Sequence, residues 1–179
     1  MDESHMTLLK DWNGKTNLTG WHFSEKLDGC RAFWDGNALW TRDGNRIPAP
    51  QTFTRQLPAG VRLDGELWAG RDTFTIARLA TQYGQWTPEI KFMVFDAPDA
   101  AGTWLGRMQA AEALLAGNGV ARTVKRGVIK DFFHLCKVFF AIRGALGEGL
   151  VLRNPAFVGY ERGRSKNALR IKRDPEWGY

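Results

Sequence analysis

A tight-turn pair, Asp35-Gly36, separates two runs that each read as a short strand, 30–34 and 37–41. A third such run, 21–27, lies just before them. Asp-Gly between strand-forming runs is a strong short-range hairpin signal. The front of the chain is therefore committed to a β meander, which excludes an all-helical fold. A second turn pair, Asp43-Gly44, precedes a proline-rich connection over 47–50 and a short helical pattern over 52–57.

Strands are expected next at 61–68, 90–95, 149–153 and 168–171, with a helical stretch over 74–83. Two longer amphipathic patterns follow. Leu105, Met108, Ala111 and Leu115 recur at helical spacing within 104–116, and Phe132, Phe133, Cys136, Phe139 and Phe140 do so within 130–146. Residues 159–166, rich in glycine and arginine, read as a loop. The result is an α+β class of antiparallel sheets flanked by helices, without internal repeats or low-complexity segments.

At 179 residues the chain suits one globular domain. No stretch approaches the roughly 18 apolar residues of a membrane-spanning helix. Two cysteines, Cys30 and Cys136, make no disulfide framework and lack metal-site spacing, which points to a reducing, intracellular setting. Ser4-His5-Met6 resembles an expression-vector scar, so residues 1–6 are expected to stand apart from a domain over 7–173. With 25 Lys+Arg against 19 Asp+Glu, the formal charge of +6 favours polyanionic partners. Many basic proteins bind no nucleic acid, so charge alone decides nothing.

The chemistry concentrates at Glu25-Lys26-Leu27-Asp28-Gly29-Cys30-Arg31. A lysine at a strand end is followed by an acid, a glycine and an arginine. Lysine acts as a covalent catalyst only from its neutral form, which neighbouring cations or desolvation favour. Arg31 can supply part of that influence, Gly29 lets backbone approach a ligand, and Asp28 is placed to orient the amine. A solvated turn with a surface Lys–Asp pair is the plainer reading of the same residues.

The run from Lys26 to Arg31 resembles the KxDGxR nucleophile motif of the covalent nucleotidyltransferases, the superfamily of DNA ligases, RNA ligases and mRNA-capping enzymes. Five further segments resemble that superfamily's motifs in its order: Thr41-Arg42-Asp43-Gly44, Leu63-Asp64-Gly65-Glu66-Leu67, Phe92-Met93-Val94-Phe95-Asp96, Glu148-Gly149-Leu150-Val151-Leu152-Arg153, and Ala168-Leu169-Arg170-Ile171-Lys172. Each alone has an ordinary structural explanation. Six in sequence, over nearly the whole chain, do not. The surrounding text, Trp21-His22-Phe23-Ser24, LDGELWAG over 63–70 and GYERGRS over 159–165, is similar to small bacterial and phage ATP-dependent DNA ligases.

The resemblance implies a covalent nucleotidyltransferase (ATP-grasp-like) fold and a catalytic core that accepts AMP on Lys26 from ATP. AMP would then pass to the 5′-phosphate of nicked duplex DNA, for sealing by the 3′-hydroxyl. It implies catalytic parts for Arg170 and Lys172, nucleotide contacts from Glu25, Arg31, Arg42, Glu66, Phe95, Glu148 and Lys172, and Mg²⁺ or Mn²⁺ held through Glu66 and Glu148. DNA phosphates would meet Arg42, Arg162, Arg164 and Lys166. Arg170 stands where the family has lysine, so a proton-carrying role falls to Lys172. Residues 174–179 are expected to begin a linker to an OB-fold domain that the sequence does not include. A cytoplasmic monomer is implied. An RNA ligase or a capping-type guanylyltransferase is the neighbouring alternative, and a nucleic-acid-binding module with a degenerate site the more distant one.

Overall fold

Local chemistry builds the expected hairpin. The Asp35 carboxylate accepts the backbone N–H groups of Asn37 and Ala38 and the indole N–H of Trp40, at 2.7–2.8 Å. That fixes the turn between β3 (Cys30–Trp34) and β4 (Leu39–Trp40). The computed structural model describes residues 6–173; the expectations for 1–5 and 174–179 lie outside the described residues. Met6 is fully buried, and its carbonyl accepts the Gly163 N–H at 2.8 Å.

The remaining elements are β1 (Thr7–Asp11), β2 (His22–Lys26), α1 (Gln51–Thr54), β5 (Leu63–Trp68), α2 (Phe74–Tyr83), β6 (Lys91–Asp96), α3 (Trp104–Leu114), β7 (Ala121–Thr123), β8 (Arg126–Val128), α4 (Phe132–Gly144), β9 (Gly149–Arg153) and β10 (Gly163–Ile171). They make two five-stranded sheets, in the orders β1-β10-β9-β2-β8 and β4-β3-β5-β6-β7. Each sheet covers its own apolar cluster. Leu63, Leu67, Phe92 and Val94 pack with Ala80 of α2 and Ala111 of α3, while Leu150, Leu152 and Ile171 pack with Leu135 and Phe139 of α4. Side-chain caps mark two helix starts: Thr103 accepts the Gly106 N–H ahead of α3, and Asp131 accepts the His134 N–H ahead of α4.

Three features differ from the sequence expectation. The sheets are mixed, because β1 runs parallel to β10 and β7 parallel to β6. Strand β10 begins at Gly163, inside the expected loop, because β1 pairs with it from Thr7 onward. On α4 only Leu135, Cys136 and Phe139 are buried; Phe132, Phe133 and Phe140 are exposed. Neighbouring phenylalanines diverge by about 100° around a helix, so adjacent pairs cannot both face one core. Both cysteines are free, and among the described residues no helix is long and apolar enough to cross a membrane.

Candidate active site

A cleft of about 660 Å³ is lined from both sheets, by Ser24, Lys26, Val151 and Arg153 on one side and Arg31, Glu66 and Phe95 on the other. Lys26 is the last residue of β2, opposite Gly149 of β9. Its Nζ donates to Glu148 Oε2 at 2.5 Å, and the other Glu148 oxygen pairs with Lys172. One carboxylate thus bridges two lysines, 20% and 45% exposed. Burial pushes the pKa of Glu148 up, but hydrogen bonds from Lys172 and Lys26 outweigh it and hold the carboxyl below the usual glutamate range. Asp28, expected to orient the amine, is exposed instead, and Glu148 takes that part.

Glu66 lies under the turn that follows Lys26. A Cβ on Gly29 would stand 2.3 Å from the Leu67 carbonyl oxygen and 2.9 Å from Glu66 Cγ, so only glycine fits there. Burial pushes the Glu66 carboxyl up to about 7, against the pull of Lys26, Arg31 and the Gly29 N–H. The two glutamates that flank Lys26 are therefore driven apart in acidity: Glu148 is an anion at neutrality, and Glu66 is poised between its two forms.

Arg31 is fixed by a buried network. It donates through Nε and Nη2 to both oxygens of Asp64, at 3.0 and 2.6 Å, and through Nη1 to the Thr7 carbonyl at 2.7 Å. The Tyr160 hydroxyl donates to Asp64 at 2.6 Å and accepts the Thr7 N–H at 3.0 Å. This network links β1 and the 154–162 connection of one sheet to β3 and β5 of the other. Its guanidinium lies 5.3 Å from the centroid of Phe95, whose ring is half-buried and lines the cleft.

The expected phosphate contacts lie toward the rim. Arg170 is held by Asp11, with Nε and Nη2 on the two carboxylate oxygens at 2.7 and 3.1 Å. Arg42 and Arg164 line the cleft and are exposed, whereas Arg162 and Lys166 are exposed beside it. Arg42 lies 3.8 Å from Asp43, and Arg164 donates to the Leu9 carbonyl at 3.0 Å. Glu25 is tied on both oxygens to Arg71, at 2.8 and 2.9 Å. Among the described residues no group of three or more His, Cys, Asp or Glu side chains could hold a metal ion by itself.

No family model matches the chain. A solved structure from work on Lig E DNA ligases is 30% identical to it, superposes with a TM-score of 0.84, and aligns over 94% of this chain and 68% of the other. The chain belongs to the DNA ligase family. A curated DNA ligase from Haemophilus influenzae is 35% identical over 173 residues, 94% of this chain; the match spans 63% of that relative's length. The Chlorella virus DNA ligase-adenylate structure, 18% identical, shares the fold with a TM-score of 0.78 over 94% of this chain and 67% of its own. The nucleotidyltransferase-type α+β fold implied by the six motifs is thus the fold found.

Besides the expected residues of this ligase-family chain, Arg153 lines the cleft, and Tyr160 and Arg107 hold Asp64 and Asp96 next to it. Arg153 closes the EGLVLR segment, yet no role was evident for it. It is buried, Nη1 is without a hydrogen-bond partner, and the guanidinium lies 5.8 Å from the Trp104 ring. Tyr160 looked like loop text but anchors the Arg31 network. Arg107 was hidden inside an amphipathic helix and makes a two-pronged buried pair with Asp96. Arg153 and Tyr160 carried a signal only through the family-like segments that contain them.

Proposed function

We propose that this chain is the adenylation domain, over residues 7–173, of an ATP-dependent DNA ligase. The observation that carries the reading is Lys26 Nζ at 2.5 Å from Glu148, with Lys172 on the same carboxylate, beside a two-sheet cleft that Lys26 lines. Relatives that are DNA ligases, and a bacteriophage T7 ATP-dependent DNA ligase solved with ATP that shares the fold at a TM-score of 0.69, support it.

In this reading the amine lone pair of Lys26 attacks the α-phosphorus of ATP. A nitrogen–phosphorus bond forms, the bond to pyrophosphate breaks, and the amine proton leaves toward the nearest acceptor, Glu148. Little acid–base work is required; cations that meet developing phosphate charge matter more. Lys172 and Arg170 stand where they can do so, Arg170 by exchanging Asp11 for phosphate. Phe95 offers a flat apolar face for the adenine ring, and the unpartnered Arg153 Nη1 offers a donor to a base acceptor. Glu66 and Arg31 suit the ribose hydroxyls. AMP then passes to a 5′-phosphate at a DNA nick, and the 3′-hydroxyl displaces it. Arg42, Arg162, Arg164 and Lys166 supply exposed cations for duplex phosphates.

Glu66 and Glu148 fit Mg²⁺ or Mn²⁺ only as a minimal protein share, since such ions commonly take one or two carboxylates and complete their shell with water and substrate phosphate. A bound divalent ion would supply charge neutralisation on the phosphates.

Intact-mass measurement before and after ATP and Mg²⁺, with peptide mapping, tests the proposal. The expected result is one AMP on Lys26, released by pyrophosphate and absent from Lys26→Ala. An adduct formed from GTP instead, or sealing confined to RNA ends, would overturn the DNA ligase reading. So would label retained by Lys26→Ala.

A further inference from the structure

Glu25 directly precedes Lys26 and lines the same cleft, yet its carboxylate is held by a partner of its own. Both of its oxygens are taken by Arg71, 46 residues away, through Nε at 2.8 Å and Nη2 at 2.9 Å. A planar guanidinium gripping a carboxylate with two parallel bonds fixes orientation as well as distance. Glu25 lies in β2 of one sheet, and Arg71 lies in the turn that leaves β5 of the other. The pair therefore crosses between the sheets that form the cleft.

The turn that carries Arg71 is held in unusual backbone conformations. Gly70 has φ of +131° and Asp72 has φ of +58°. A non-glycine residue in the left-handed region persists where its surroundings over-determine it. The turn runs straight into α2, whose first turn has no side-chain cap; the Thr73 hydroxyl donates back to the Gly70 carbonyl at 2.6 Å. Phe74, Arg78, Thr81 and Gln82 of α2 line the cleft. Where Arg71 sits thus governs where one wall of the cleft begins.

Glu25 also meets the turn ahead of Glu148. A Cβ on Gly147 would stand 2.8 Å from Glu25 Oε1. One carboxylate is therefore in touch with three segments: the strand that ends in Lys26, the turn that presents Glu148, and the turn that starts α2.

We propose that the Glu25–Arg71 pair is a clasp that sets the α2 wall against the Lys26 strand, and that Glu25 is a positioning residue for nucleotide binding and not itself a nucleotide ligand. This rests on the reading of the cleft as an ATP site. The two side chains are 22% and 35% exposed, so salt weakens the clasp. Misplacing a binding wall raises KM while leaving the bond-forming groups in position.

The test is the ATP dependence of Lys26 adenylation in wild type, Glu25→Ala, Arg71→Ala, the double variant and the exchanged pair Glu25→Arg/Arg71→Glu, with melting curves to establish folding. Each single change is expected to raise KM for ATP about tenfold, equivalent to about 1.4 kcal/mol, with kcat within about twofold. The double variant should be no worse than either single, because both remove one interaction. The exchanged pair should recover most of the loss. Arg71→Lys, which keeps charge but loses the fork, should fall between and serves if an alanine variant does not fold. Single effects that multiply in the double variant would overturn the clasp. A raised KM in Glu25→Ala with none in Arg71→Ala would overturn it too and make Glu25 a direct ligand. Absence of any ATP-derived adduct on wild type would instead sink the ATP-site reading, and the clasp with it.

Discussion

Gly149 lies directly beneath Ile171: a Cβ at Gly149 would stand 2.1 Å from the Ile171 carbonyl oxygen. The glycine also has φ of +149°, which side chains rarely adopt. Backbone on backbone has no flexible side chain to yield, so alanine there must push β9 and β10 apart. Ile171 precedes Lys172, and Gly149 follows Glu148. Gly149→Ala is therefore expected to cost about 3 kcal/mol of stability and, in the folded fraction, to lower the adenylation rate as Lys172 withdraws from Glu148. Denaturant titration and adduct kinetics check both. An unchanged rate would separate the strand contact from the chemistry.

The acidity of Glu66 makes stability depend on pH in a defined direction. Burial lifts its folded value from the ordinary 4.5 to about 7. Between those values the folded state binds more protons than the unfolded chain, so this contribution is full below pH 4.5 and is lost as pH rises through 7. Glu148 behaves oppositely, being lowered; its contribution is lost only as pH falls below the ordinary glutamate value. The melting temperature of Glu66→Gln, compared with wild type, should thus gain steadily from pH 5 to pH 8. A flat difference would mean that Glu66 does not titrate in that window.

How far the sequence revealed these features varied with range. The hairpin at Asp35-Gly36 is local chemistry and was legible. Lys26, Glu66 and Glu148 were legible through motif order, and the structure brings all three to one cleft or its edge. Strands β7 and β8 have three residues each, too few for a period to show. Strand β1 depends on a parallel partner more than 150 residues away. The Glu25–Arg71 and Asp96–Arg107 pairs are likewise tertiary facts, since no spacing rule links charged residues on different elements.

Asp96 ends the aromatic-rich strand of the family resemblance, but its bonds are to Arg107, with the two side chains 4% and 3% exposed. Removing one partner of so buried a pair leaves an uncompensated charge. Asp96→Asn is expected to lose about 3–5 kcal/mol of stability, read from urea midpoints, while adduct formation per folded molecule stays near wild type. A rate loss without a stability loss would reassign Asp96 to the chemistry.

Phe95 separates stacking from simple burial. Leucine would keep apolar contact beneath Arg31 but lose the flat face. Base stacking on an aromatic contributes roughly 1–3 kcal/mol, so Phe95→Leu should raise KM for ATP about tenfold or more at the lower half of that range, with little change in kcat. Nucleotide titration followed by adduct mass measures it. An unaltered KM would make Phe95 a core residue and leave the base to another face.

The parallel pairing of β1 with β10, in register from Thr7 with Gly163, has a consequence for how the protein comes into being. A ribosome delivers the nucleophile strand first, and the segments bearing Glu148, Arg153 and Lys172 follow 122 residues and more behind Lys26. Until β10 emerges, β1 has no neighbour, and Arg31 lacks the Tyr160 end of its network. Such sequence-distant closures are slow compared with local ones. Lys26 thus leaves the ribosome 122 residues ahead of the carboxylate that holds it, and the cleft closes only when β10 slides between β1 and β9.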